Sequence, residues 1–202
     1  MSGNSDIFVM DTNSGSSRRL TFEASEESFP SYSRNGQWIY FSSTRAGSLD
    51  VWRIPAEGGA AGRITYHGGV QSREAPDGNL YYLDRIPPNE RMMRPQGTSR
   101  LMRVPANGGP ETAVQDGLTA NWWSMADSGV FFISHESGFK GVDFIDSIDH
   151  YSFSDRKVTR IGRLATRASQ INPQMHVSPN GRWALVSTVS AQANLMLIDN
   201  IR

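Results

Sequence analysis

The sequence predicts an all-β protein, a β-propeller of four-stranded antiparallel blades, on three observations. An apolar run with a Gly-rich turn recurs every 44 to 50 residues, a second turn feeding an aromatic strand recurs in step with it, and a fixed offset ties each unit together. The first series reads DIFVMDTNSG from Asp6, DVWRIPAEGG from Asp50 and RLMRVPANGG from Arg100. Weaker copies follow at Ile148 (IDHYSFSDRK) and Asn194 (NLMLIDN). With Ile7, Val51, Leu101, Ile148 and Leu195 as anchors, the steps are 44, 50, 47 and 47 residues.

The second series reads SRNGQWIYFSS from Ser33, APDGNLYYLD from Ala75, ADSGVFFIS from Ala126 and SPNGRWALVST from Ser178. Asn35-Gly36, Asp77-Gly78 and Asn180-Gly181 are expected as two-residue hairpin turns, where Asn, Asp and Gly tolerate positive φ. Gly58-Gly59 and Gly108-Gly109 are expected to turn between third and fourth strands. Thirteen residues beyond each of the first four anchors stands an apolar residue, Leu20, Ile64, Val114 or Ile161, so each unit carries a fourth short strand. A lone four-stranded blade cannot bury both its faces, and such units therefore stack side by side.

The expected organisation is a partial blade over 1–24, blades over 25–67, 68–117 and 118–166, and a partial blade over 167–202. That is about four blade equivalents and seventeen strands, one more than a closed ring of four blades holds. The preferred expectation is the C-terminal part of a larger propeller, an incomplete ring. The alternatives are a four-blade ring with one displaced strand, and head-to-tail self-association of two chains through open sheet edges.

Composition narrows the partners. Twenty Lys plus Arg against twenty Asp plus Glu leave no net charge, which argues against nucleic acid and against attraction to an anionic membrane. No apolar run has the length of a membrane span, and the first residues lack the pattern of an export signal. Without cysteine there is no disulfide framework, thiolate metal site or thiol nucleophile.

These repeats closely resemble the TolB-like propeller unit, in which a turn and apolar strand precede S-x-R-x-G, an IYVMD-like strand, a Gly pair and an RRLT-like strand. The best copy runs Ser33-Arg34-Asn35-Gly36, Trp38 to Gly47, and Asp50 to Ile54. The closing SPNGRWALVS through LMLIDNIR is similar to the C-terminal end of propellers carried by bacterial winged-helix or kinase regulators. The resemblance implies a periplasmic or otherwise extracytoplasmic sensor or scaffold that binds protein or a small ligand. It also allows an accessory propeller of a peptidase, lyase or hydrolase, since fold alone does not decide function.

The candidate site residues lie where loops and blade-opening segments are expected to share one face. From turn Gly to third-strand anchor the distances are 15, 23, 19 and 14 residues, and insertions confined to one face mark a binding face. The longest insertion brings Arg91 and Arg94, and the next His135 and Lys140. The opening segments add Glu27, Arg73, Trp122 and Trp123. Adjacent strand residues face opposite sides, so one indole is expected in the core and the other towards ligand.

No catalytic set or cofactor is expected. His67, His135, His150 and His176 share no metal-ligand spacing, and no G-x-S-x-G elbow or phosphate loop occurs. Glu26 and Glu27 point apart on a strand, and Arg45 reads as a turn stabiliser.

Overall fold

A computed structural model describes residues 4–85, 99–137, 144–166, 168, 174–188 and 196–198. Among these residues every helix or strand is a strand, and there are seventeen. The chain divides into two compact units, 1–85 with 100–114, and 86–99 with 115–202.

The first unit opens with a two-stranded sheet of β1 (Phe8–Met10) and β2 (Ser17–Arg19). A complete four-stranded sheet follows: β3 (Glu27–Tyr32), β4 (Trp38–Ser43), β5 (Asp50–Pro55) and β6 (Gly62–Arg63), each paired with the next. The next sheet repeats it with β7 (Val70–Glu74), β8 (Asn79–Leu83), β9 (Ser99–Pro105) and β10 (Thr112–Leu118). Two cores explain why the strands alternate so little in polarity. Ile39, Phe41 and Ile54 pack on Ile7 and Leu20 of the first sheet, while Tyr40, Val51 and Ile64 pack on Leu80, Tyr82 and Val104 of the third. A sheet covered on both faces needs apolar side chains on both, which is why WIYF reads as one continuous run.

A small polar lock closes the first two repeats. Asp6 holds Arg19 at 2.6 Å, Arg19 donates to the Thr21 carbonyl, and the Thr21 hydroxyl accepts the Ile7 N–H at 2.9 Å. The second repeat copies it: Asp50 with Arg63 at 2.8 Å, Arg63 to the Thr65 carbonyl, and Val51 N–H to the Thr65 hydroxyl at 2.9 Å. The D-[IV]…R-[LI]-T pattern of the sequence is this lock. The third repeat has Arg100 in place of the Asp and Gln115 in place of the Thr, and Arg100 instead pairs with Asp84 at 3.0 Å.

The expectation of two-residue hairpin turns is corrected, because longer turns are closed by Ser33 N–H to Trp38, Ala75 N–H to Asn79 and Ser178 N–H to Trp183 carbonyls. Only the glycines of these turns have positive φ, at 72° for Gly36, 78° for Gly78 and 70° for Gly181. The Ser hydroxyl is the reason in two of them. Ser33 Oγ donates to Asn35 Oδ1 and accepts the Trp38 N–H, and Gly36 N–H bonds to the Ser33 carbonyl. Ser178, Asn180, Gly181 and Trp183 repeat each bond. The side chains thus close a longer turn that needs one left-handed residue. Phe29 and Gln71 also take positive φ, at 53° and 54°, and each sits in a bulge at the same register of its sheet's first strand.

The second unit holds β11 (Trp123–Ala126), β12 (Gly129–Ser137), β13 (Phe144–Ser152) and β14 (Val158–Arg163) as a four-stranded sheet. A three-stranded sheet of β15 (Met175–Val177), β16 (Ala184–Val186) and β17 (Met196–Ile198) follows. Their shared core joins Trp122, Phe131, Ile133 and Ile148 to Ala168, Met175, Ala184 and Val186. The fold is therefore the expected β-propeller architecture, with three full blades and two partial sheets among the described residues.

Candidate functional site

In β12 and β13 the hairpin runs nine residues on each side, against six in the corresponding β4 and β5. Its register places Ile133 opposite Ile148 and, two residues further out, His135 opposite Asp146. Period-two alternation puts His135 on the same face as Ile133. Trp122 lies there as well, its carbonyl accepting the Ile133 N–H at 2.9 Å.

Three side chains therefore converge. His135 Nδ1 lies 2.6 Å from Asp146 Oδ1, and the Ala168 N–H donates to Asp146 Oδ2 at 2.6 Å. The Asp146 backbone carbonyl accepts the Leu164 N–H at 2.8 Å, so the residue is fixed from both main chain and side chain. The Trp122 and His135 rings stand 4.6 Å apart at 56°. Asp146 is 3% exposed and Trp122 2%, while 18% of the His135 side chain remains open.

A carboxylate only accepts hydrogen bonds, so Nδ1 carries the proton in this contact, and the neutral imidazole then offers a lone pair at Nε2. That Nε2 is buried without a partner, and so is the donor Nε1 of Trp122. Leaving a buried donor or acceptor unpaired costs about 1–3 kcal/mol each. Two neighbouring rings thus each carry a buried polar atom with no partner. Among the described residues no group of three metal-ligating side chains gathers here or elsewhere.

The other expected site residues are placed differently. The expectation that one of Trp122 and Trp123 stays open is corrected, because both are buried, at 2% and 7%. Trp122 fills the core shared with the last sheet, and Trp123 opens β11 opposite Phe132. Glu27 is buried as well: its Oε1 accepts from Ser25, Ser43 and Arg45, the last at 3.3 Å. Arg45 in turn lies over Phe41 and Trp52, so this pair props its own blade. Arg73 is exposed by surface area yet closely surrounded, and loss of hydration holds its guanidinium below the ordinary value. It donates to the Ser72 carbonyl at 2.9 Å. Arg91, Arg94 and Lys140 lie outside the described residues.

Asp146 was not among the sequence candidates. The repeat anchors contained the signal: Ile148 pairs with Ile133, and counting two residues outwards on both strands meets His135 and Asp146. A second carboxylate, Glu111, accepts the Tyr82 hydroxyl at 2.7 Å and lies 3.2 Å from His67 Nδ1. Burial first and Glu111 second raise the Tyr82 hydroxyl far above its usual pKa, so it stays a donor. His67 is exposed on the outside of this cluster.

Comparison with known proteins supports the architecture. Residues 1–141 match the family described as Tricorn protease N-terminal beta propeller domain. A 60-residue stretch is 43% identical to an uncharacterized protein of Agrobacterium fabrum, covering 30% of this chain and 20% of that one. The crystal structure of TolB from Acinetobacter baumannii superposes with a TM-score of 0.66 at 16% identity, over 96% of this chain and 46% of that one. A putative TolB from Agrobacterium tumefaciens gives a TM-score of 0.50 at 30% identity, over 55% of this chain and 41% of that one. The chain spans less than half the length of each of these proteins.

Proposed function

Because the chain belongs to the Tricorn protease N-terminal β-propeller family and is TolB-like in fold, we propose that it is a non-catalytic binding module, an extracytoplasmic sensor or scaffold. Its partner protein or small ligand engages the outer end of the β12–β13 hairpin. The observation that carries this reading is the Asp146-held imidazole with its unpartnered Nε2 beside the unpartnered Trp122 indole N–H. Neither orphan helps the fold, and both would gain a partner on binding. The insertion that contains His135 also brings Lys140, a cationic group for the same partner in this reading.

The second reading, an accessory propeller that binds or gates substrate for an enzyme, is favoured by the name of the matched family, a protease domain. On that reading catalysis belongs to another polypeptide segment. Both readings use the same site and differ in what it meets.

Affinity capture from a bacterial envelope extract, followed by titration calorimetry with the purified captured component, tests the proposal. His135→Ala is expected to weaken binding at least tenfold, about 1.4 kcal/mol. Equal affinity of wild type and variant would remove the hairpin end from the binding surface. Capture of a peptidase that the propeller inhibits or gates would establish the second reading.

A further inference from the structure

Resting on the binding reading above, we infer that the Trp122–His135 pair recognises a neutral hydroxyl group, the chemistry that a sugar or polyol presents.

The two orphan atoms have opposite needs. Trp122 Nε1 is a donor and must meet an acceptor, whereas Nε2 of the neutral His135 ring, with Nδ1 committed to Asp146, is an acceptor and must meet a donor. The two rings are neighbours, with centroids 4.6 Å apart, and on this inference one molecule serves both atoms. A hydroxyl accepts from the indole and donates to the imidazole, so it satisfies the pair by itself. A carboxylate accepts from the indole but has no proton for Nε2. An ammonium group donates to Nε2 but has no lone pair for the indole.

Charge disfavours ionic ligands further. Asp146 already has its two oxygens bonded, to His135 and to the Ala168 N–H, and is sealed from solvent. It repels an anion without offering a free oxygen to a cation. Discrimination through a buried hydrogen-bonding pair is strong, because a ligand lacking the hydroxyl leaves both groups unpaired. The His135 side chain keeps 18% of its surface open, so the pair lies near the surface of the hairpin.

The test is a nitrogen-15 NMR titration of the whole chain, following the Trp122 indole N–H and the His135 ring nitrogens. The probes are myo-inositol, glycerol and glucose, with sodium acetate and ethylammonium chloride as charged controls. The expected result is saturable movement of both Trp122 Nε1–H and His135 Nε2 with at least one neutral polyol, and none with either control. His135→Gln and Trp122→Phe should each weaken that binding at least tenfold. Should a variant fail to fold, the wild-type titration decides by itself.

Acetate or ethylammonium moving these signals, or no probe moving them, overturns the inference. The broader reading is separable. If polyols fail while His135→Ala still weakens the captured partner, only the hydroxyl assignment falls. If both experiments fail, the hairpin site falls with it.

Discussion

Replacing Thr65 by Val tests the polar lock, because the two side chains share a shape and differ by one hydroxyl. Thr65 is fully buried, and its Oγ1 accepts the Val51 N–H at 2.9 Å. Val51 is itself fully buried at the centre of the second sheet, so no water replaces the lost acceptor. The backbone of residue 65 keeps its own bonds, including the carbonyl contact with Arg63 at 2.9 Å. The change therefore isolates one unsatisfied buried N–H, a cost of about 1–3 kcal/mol. At about 2–4 °C per kcal/mol for a chain of this size, the melting temperature should fall by roughly 2–12 °C. Urea denaturation followed by tryptophan fluorescence and by far-ultraviolet circular dichroism measures it, and coincident transitions license the free-energy reading. Thr65→Ser keeps the hydroxyl and should recover most of the loss, short of the missing methyl group. A valine variant as stable as wild type, or a serine variant as unstable as valine, would refute the hydrogen bond as the lock's working part.

Two further outcomes follow from packing and titration. Gly129→Ala should destabilise severely, because the added Cβ would stand 2.0 Å from the Tyr151 carbonyl oxygen, a backbone atom that cannot turn away; thermal melts would show it, and wild-type stability would contradict the strand contact. Burial holds the His150 pKa below its ordinary 6.5, with the ring stacked on Phe131 at 4.3 Å, so the unfolded chain binds the proton more readily than the folded one. Stability from this group is intact above about pH 6.5 and declines as pH falls from there through the lowered folded value. His150→Gln should flatten that part of a stability–pH profile, and an unchanged slope would count against the stacked, desolvated ring.

Much of the fold was legible because a repeat is a local pattern copied along the chain. The anchors Ile7, Val51, Leu101 and Ile148 are all buried, and just beyond β2 and β6 Leu20 shares a core with Ile7 and Ile64 with Val51. Turn chemistry was legible only in part. Gly36 and Gly181 were recognisable, but closure of the turn by Ser33 and Ser178 depends on hydroxyls whose partners lie five residues on. The candidate site was half legible. His135, Trp122 and Glu27 were all named by residue type and place, and the sequence did not show that Glu27 pairs with Arg45. A carboxylate's partners are not written beside it in the chain.

By itself the sequence determined the blade, since short continuous apolar runs, turn glycines and a spacing near 47 residues leave a four-stranded unit little choice. Only the tertiary structure decided that both indoles are buried, that Asp146 grips His135, and that two polar atoms are left over beside each other. The physical reason is register. Which residues face one another across a hairpin, and which face a neighbouring sheet, depends on pairings between distant segments, and a shift of one residue would turn His135 and Asp146 to the other face.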